Sequence, residues 1–239
     1  GKCAEGLLLQ LVSICLKSPF LNRRLDGLRI LTDCLGMVAN ASEYPTGLKI
    51  TINTVNGVDT PSYKILTISQ WMTKETLAKW IVTNKFLEGF FRGEGAHESL
   101  IQRSPEVLKF LASENYLTDE YLELVWSSPV YDKDKMSVFL NIADVLSESH
   151  VAFLLDKVAL TEPASYSPEM LDVVKGLAAR VYLGLNPRKL KDEDLSKQPP
   201  LFSRCVQMLW DILTNTLEVP RDVQEVACAK LEELVQMGG

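Results

Sequence analysis

Residues 21–40 of the chain are LNRRLDGLRILTDCLGMVAN, and this stretch decides the fold class. Its apolar residues recur at steps of three and four, which places them along one face of an α-helix. The stripe consists of Leu21, Leu25, Leu28, Leu31, Leu35 and Val38. The same spacing returns twice further along, as Leu171, Val174, Ala178, Val181 and Leu185, and as Val223, Ala227, Leu231 and Leu234. The sequence therefore predicts a chain built from amphipathic helices.

Helix boundaries are marked by capping residues, which accept hydrogen bonds from the free N–H groups of a first turn. Proline directly after such a residue has no N–H to leave unpaired. The predicted caps are Ser18, Thr73, Ser104, Thr118 and Ser167. The predicted helices are 2–17, 19–40, 69–84, 85–92, 98–115, 119–128, 133–147, 149–160, 168–185, 199–216 and 220–237. The alternative for residues 69–92 is one broken helix.

Most connections between these helices are short, so neighbours are expected to pack as antiparallel helical hairpins. Each hairpin occupies about 40 residues, the period of armadillo and HEAT repeats. No repeat is visible residue by residue. We therefore expect an all-α fold, an irregular armadillo/HEAT-like stack that makes one helical-repeat segment over residues 1–239 and is a fragment of a longer solenoid.

One segment, residues 43–68, breaks the helical pattern. Leu48, Ile50 and Ile52 alternate with polar residues, and Asn56-Gly57 is a hairpin-turn signal. A lone two-stranded hairpin is only marginally stable in water. The sequence therefore predicts a β-prone insertion and leaves open whether it is a hairpin or a loop.

Composition and charge restrict the class of function. The chain has 239 residues, of which 46% are hydrophobic and 23% charged, which is typical of a folded protein. The 25 basic and 31 acidic residues leave a net charge of −6, which argues against binding to nucleic acid. The longest apolar run, residues 7–16, is interrupted by polar residues and too short to span a bilayer. Neither nucleic acid nor membrane insertion is expected.

A search for catalytic or metal-binding patterns finds none. The five cysteines are Cys3, Cys15, Cys34, Cys205 and Cys228, and no pair has the C-x-x-C spacing of a zinc or redox site. We expect buried free thiols, which are typical of a reducing compartment. The expected location is the cytoplasm, and the nucleus is the alternative. The two histidines, His97 and His150, share no motif with a cysteine, and the acidic groups 132–134 and 192–194 have no histidine or calcium-loop glycine beside them. No catalytic, cofactor-binding or metal-binding residue is therefore predicted.

The aromatic residues are expected to pack in the core. Each tryptophan lies among apolar helix positions, and the three phenylalanines of residues 86–91 are close to glycines. A partner-binding patch is the alternative for those phenylalanines. The residues concerned are Trp71, Trp80, Trp126, Trp210, Phe86, Phe90 and Phe91.

Four stretches carry a family resemblance. Residues 71–84, WMTKETLAKWIVTN, and residues 104–126, SPEVLKFLASENYLTDEYLELVW, resemble the long N-terminal helical region of the very large ubiquitin-specific proteases of the fat-facets type. Leu21-Asn22-x-Arg24-Leu25-x-Gly27-Leu28 and Leu217-Glu-Val-Pro220-x-Asp222-Val match the same family. The likeness is dense over residues 69–126 and weak over 132–216.

The resemblance implies a non-catalytic part of a deubiquitinase. In that family the peptidase is a separate domain with a cysteine box and a histidine box, and this sequence has neither. The chain would then be a scaffold for protein–protein interaction or substrate recruitment, with substrates, adaptors or ubiquitin-pathway components as partners. Two alternatives remain: a stand-alone armadillo/HEAT-like adaptor without a protease, and an all-helical enzyme with an unrecognised site.

Overall fold

The computed structural model describes residues 2–40, 47–55, 58–66, 72–92, 96–184, 200–214 and 218–238. These residues form twelve α-helices and one antiparallel hairpin, so the predicted all-α class with a β-prone insertion is confirmed. In chain order the elements are α1 (Lys2–Leu16), α2 (Leu21–Asn40), β1 (Gly47–Val55), β2 (Val58–Leu66), α3 (Lys74–Asn84), α4 (Phe86–Phe91), α5 (Glu98–Ile101), α6 (Pro105–Ser113), α7 (Asp119–Trp126), α8 (Asp132–Ile142), α9 (Glu148–Ala159), α10 (Pro168–Gly184), α11 (Pro200–Leu213) and α12 (Arg221–Gly238). Short 3-10 turns, 143–145 and 163–165, follow α8 and α9.

The chain forms two compact units, an N-terminal unit of Gly1–Gly89 and a C-terminal unit of Phe90–Gly239. Within the N-terminal unit, α1 packs on α2 through the apolar stripe that the sequence predicted for α2. The buried residues are Leu9, Val12 and Leu16 of α1 and Leu28, Leu31, Cys34, Leu35 and Val38 of α2. The prediction of one continuous helical-repeat segment over residues 1–239 stays a prediction.

A glycine allows α1 and α2 to approach closely. Gly27 is buried on α2, and a Cβ added there would lie 2.8 Å from the Cβ of Cys15 and 3.1 Å from two side-chain carbons of Leu16. Contacts this short are repulsive, so only glycine fits this crossing. The same residue, Gly27, belongs to one of the stretches that carry the family resemblance.

The segment after α2 forms a hairpin, one of the two structures predicted for residues 43–68. Strands β1 and β2 pair antiparallel from Gly47 opposite Leu66 to Val55 opposite Val58. The pairing continues through Pro61, which lies opposite Ile52. The parts of the insertion beyond residues 47–55 and 58–66 lie outside the described residues.

Two predicted helix starts are adjusted by the structure. Helix α2 begins at Leu21 rather than residue 19, and the Oγ of Ser18 accepts from the N–H of Phe20 at 3.2 Å. Helix α3 begins at Lys74 rather than residue 69, and the predicted cap Thr73 accepts from the N–H of Thr76 at 3.1 Å. Trp71 lies outside the described residues.

The predicted single helix 98–115 is wrong, because the chain forms α5 and α6 with a turn between them. Pro105 has no N–H to donate to a preceding turn, so the ladder of hydrogen bonds stops there. Ser104 is not the predicted side-chain cap either, since its backbone is helical and its Oγ donates to the carbonyl of Ile101 at 2.7 Å. Ser167 is confirmed as a cap by the 3.3 Å bond from the Met170 N–H, whereas the Thr118 side chain makes no cap bond.

Helix α10 is central to the C-terminal unit and packs against α8, α9, α11 and α12. Two lysines join it to α12: Lys230 lies 2.9 Å from the carboxylate of Asp172, and Lys175 lies 3.0 Å from that of Glu233. Its buried face is the stripe identified in the sequence, extended by its neighbours. The buried residues are Met170, Leu171, Val173, Val174, Leu177, Ala178 and Val181.

Candidate interaction surface

One face of helix α11 packs in the core, and the opposite face lies on the surface. Its four most buried residues, Phe202, Cys205, Leu209 and Ile212, recur at helical spacing and form the inner face. The ring of Phe202 packs against Tyr182 of α10 with centroids 5.6 Å apart. The opposite face of α11 is therefore left to the surface, and its exposed residues are Ser203, Gln207 and Trp210.

A groove of about 530 Å³ runs beside α11, between this helix and the end of α9. Ala159 and Tyr166 line one wall, and Met208 and Ile212 line the other. Tyr166 is buried, and burial raises the pKa of its phenol. The lining is mixed, because Ser203, Arg204, Gln207 and Asp211 belong to it as well.

Polar and charged side chains also line this groove. The guanidinium of Arg204 lies 2.5 Å from the carboxylate of Asp156, which joins α11 to α9. One turn further along α11, the amide of Gln207 donates to the carboxylate of Asp211 at 2.7 Å. A mixture of apolar and polar side chains is typical of surfaces that bind proteins.

Trp210 was predicted to pack in the core, and this is wrong because its side chain is 53% exposed. The residue directly follows Leu209, so it lies about 100° around the helix from the buried stripe. Tryptophan is enriched at the centres of interaction surfaces. The helical phase of Phe202, Cys205, Leu209 and Ile212 is the sequence signal that would have placed Trp210 outside.

The other aromatic residues follow the predictions more closely. Phe86, Phe90 and Phe91 are buried, which confirms core packing over a partner-binding patch. Trp80 and Trp126 are half-buried. The ring of Trp80 packs on Phe86 with centroids 4.9 Å apart, and that of Trp126 packs on Phe139 with centroids 5.8 Å apart.

The titratable residues singled out in the sequence are not brought together. His97 caps α5, where its Nδ1 accepts from the N–H of Ser99 at 3.1 Å, and His150 lies in the first turn of α9. Asp132 pairs with Lys135 at 2.6 Å in the first turn of α8. The acidic group 192–194 and the side chain of Cys3 lie outside the described residues. Within the described ranges, no group of three or more histidine, cysteine, aspartate or glutamate side chains could hold a metal ion.

Among the side chains that the structure describes, four cysteines are free thiols, and two of these four, Cys34 and Cys205, are buried as predicted. Burial raises the pKa of the Cys34 thiol to about 11 and that of the Cys205 thiol to about 12. Such thiols are protonated at neutral pH and are poor nucleophiles. Cys15 and Cys228 are half-buried.

Comparison with known proteins decides the family. The model of the UBP24/USP9X/USP9Y ARM repeat matches residues 4–234. The chain belongs to this armadillo-repeat family. The armadillo-like fold expected from the sequence and the recognition of the fat-facets type are both confirmed by this match.

One curated relative shows how the armadillo-repeat chain compares with a complete protein. It is the mouse protein named ubiquitin carboxyl-terminal hydrolase 9X, which is 22% identical over 168 residues, or 66% of this chain. The match spans 6% of the relative's length. In the described part of the armadillo-repeat chain, every helix is too short or too polar to cross a membrane.

Proposed function

We propose that this chain is a non-catalytic helical scaffold, which recruits substrates, adaptors or ubiquitin-pathway components to a large deubiquitinase of the cysteine-protease type. The observation that carries the proposal is the match of the armadillo-repeat family over residues 4–234. Helical-repeat folds bind along extended surfaces. The groove beside α11, with exposed Trp210 on its helix, supplies a surface of the right chemistry.

The proposal includes the place of this segment in a longer helical array. Leu7, Leu11 and Ile14 of α1 are 66%, 47% and 65% exposed, and their spacing gives α1 a second apolar face beside the one that meets α2. Stacked repeats bury such faces against each other. The much greater length of the mouse relative supports this arrangement. The proposed location is the cytoplasm or nucleus, which the free thiols support.

A first experiment tests the non-catalytic role. The purified chain is incubated with a ubiquitin-derived fluorogenic substrate, and we expect the buffer rate of hydrolysis. Activity that disappears when one cysteine is alkylated would overturn the scaffold proposal. The complete coding sequence should also contain a cysteine box and a histidine box, and a complete protein without them would favour the stand-alone adaptor.

A second experiment tests recruitment through α11. A photo-crosslinking amino acid at position 210 of the full chain is used to capture a binding protein from cell extract, which is then purified. We expect that protein to bind the wild-type chain at least about tenfold more tightly than Trp210→Ala, the size of effect found at interface tryptophans. The matched control is Tyr131→Ala, since Tyr131 is an 80% exposed aromatic that lies directly before α8 and not on α11. Equal loss in both variants would contradict a role for this surface.

A further inference from the structure

The residues of α11 that line the groove form two rows along the helix. One row is Pro200, Arg204, Met208 and Ile212, and the other is Ser203, Gln207 and Asp211. Successive members of a row are four positions apart, so each row is a ridge on the helix surface. At about 1.5 Å per residue, the lining extends about 18 Å along α11, which is the length of about three helical turns.

Ridges with this spacing are the surface on which a second helix packs, because its own ridges fit between them. An amphipathic helix of about three turns presents apolar side chains along one face over the same length. An extended segment instead directs successive side chains to opposite sides, so only every second one could enter the groove. The arrangement of the lining therefore favours a helix as the occupant.

The charges on the α11 side of the groove favour a cationic occupant. The guanidinium of Arg204 is already paired within the protein, since it lies 2.5 Å from the carboxylate of Asp156. Asp211 accepts a hydrogen bond of 2.7 Å from the amide of Gln207. That amide carries no charge, so this bond leaves the negative charge of the carboxylate in place. A lysine or arginine beside Asp211 would be electrostatically complementary to it.

The α9 side of the groove is also negative. Helix α9 ends at Ala159, which lines the groove, and the last carbonyl groups of a helix carry a partial negative charge. The basic residue in its last turn, Lys157, pairs with Glu123 of α7. Glu162, three positions after Ala159, is exposed. Both sides of the groove therefore favour positive charge on the occupant.

Apolar side chains accompany these charges. Leu160, directly after α9, is 80% exposed, and Trp210, directly before Asp211, is 53% exposed. Tyr166 and Met208 add apolar surface in the groove itself. Covering such surface is favourable, so the occupant is expected to carry an apolar face next to its basic residues.

We propose that the groove between α9 and α11 binds a basic amphipathic helix of a partner protein. The apolar face of that helix packs against Ala159, Tyr166 and Met208, and its lysine or arginine side chains lie beside Asp211 and the C-terminal end of α9. This inference rests on the proposed function, because it names the kind of partner that the scaffold recruits at this surface.

The test measures binding of labelled peptides to the full 239-residue chain by fluorescence anisotropy. The probe is a peptide of about 14 residues in which leucines at helical spacing form one face, and lysines and alanines fill the other positions. One control peptide has glutamate in place of lysine, and another has proline at its centre, which prevents a continuous helix. We expect the basic helical peptide to bind at least about tenfold more tightly than either control. Equal affinity for the acidic or the proline-containing peptide would overturn the proposal.

A pair of charge reversals locates the binding site. Asp211→Lys should weaken binding of the basic peptide at least about tenfold, because like charges then face each other. The matched control is Glu106→Lys, since Glu106 is an exposed acidic residue on α6 and not on α9 or α11. The control should change binding less than about twofold. An equal loss in both variants would overturn the proposal, because attraction to the net charge of −6 would then explain the binding.

Two further variants keep the test decisive if Asp211→Lys disturbs folding. Gln207→Lys adds a cation at an exposed position one turn before Asp211 and should also weaken binding at least about tenfold. Met208→Gln removes apolar surface without changing the charge, and it should weaken binding at least about fivefold. Unchanged binding in either variant, with the fold confirmed by circular dichroism, would overturn the proposal.

Two other outcomes would also overturn this inference. Sedimentation of the wild-type chain as a dimer, with the dimer lost in Met208→Gln and no peptide bound, would assign the groove to a second copy. Failure of all three peptides to bind, while the protein captured at position 210 still binds, would leave the proposed function standing without this kind of partner.

Discussion

Alanine at Gly27 should loosen the packing of α1 on α2, whereas alanine at Gly36, on the same helix, should stabilise the protein. The new Cβ at residue 27 would lie 2.8 Å from the Cβ of Cys15. That atom is fixed to the backbone of α1, so the helices must separate to relieve the contact. At residue 36 the new Cβ meets no atom within 4 Å.

Both substitutions gain helix propensity from alanine, but only Gly27→Ala also adds an unfavourable contact between the helices. Alanine is better than glycine inside a helix by about 1 kcal/mol. Overpacking a core typically costs about 1–3 kcal/mol, and a clash between two backbone-anchored atoms belongs in the upper part of that range. Gly27→Ala should therefore lower the free energy of unfolding by about 1–2 kcal/mol, and Gly36→Ala should raise it by about 0.5–1 kcal/mol.

Thermal unfolding followed by circular dichroism measures the difference. For a chain of this size about 1 kcal/mol corresponds to about 2–4 °C in Tm, so the two variants should differ by several degrees and in opposite directions from the wild type. Amide hydrogen exchange should show the loss for Gly27→Ala in α1 and α2. A Gly27→Ala protein as stable as Gly36→Ala would refute the close approach of the two helices.

Three further predictions concern single side chains. Trp80→Ala should cost about 2 kcal/mol, less than the ~3–5 kcal/mol of a fully buried tryptophan, because the ring is half-buried; chemical denaturation of the variant measures this. Cys34 and Cys205 should resist thiol reagents until the protein unfolds. Because folding raises the pKa of Cys34 from 9.0 to about 11, the free energy of unfolding should fall as the pH rises from 9 to 11. The denaturation midpoint measured over this pH range checks the direction of the change. Lys230→Ala should cost about 1 kcal/mol, because the Lys230 side chain is only 19% exposed and pairs with both Asp172 and Glu233. Arg221→Ala removes a pair with Glu225 in which the two side chains are 91% and 71% exposed, so it should change stability by less than about 0.5 kcal/mol.

The helices were predictable because their signals are local. The apolar stripe of α2 and the cap at Thr73 depend on residues within a few positions of one another, and both are present in the structure. The sequence predicts one helix over residues 98–115, whereas the chain breaks between α5 and α6 at Pro105, where a backbone N–H is lacking. The predicted burial of Trp210 is wrong because the angular position of a residue around its helix predicts burial better than its polarity does.

The sequence by itself determined the helical content, the position of the β-prone insertion and the family, since periodicity, caps and family motifs are all recorded along the chain. Only the tertiary structure decided where the described part of the chain is open, namely at the groove beside α11 and at the exposed Trp210. The physical reason is that a surface is defined by what does not pack against it. That depends on contacts between residues far apart in sequence, such as Arg204 with Asp156, which a local pattern does not contain.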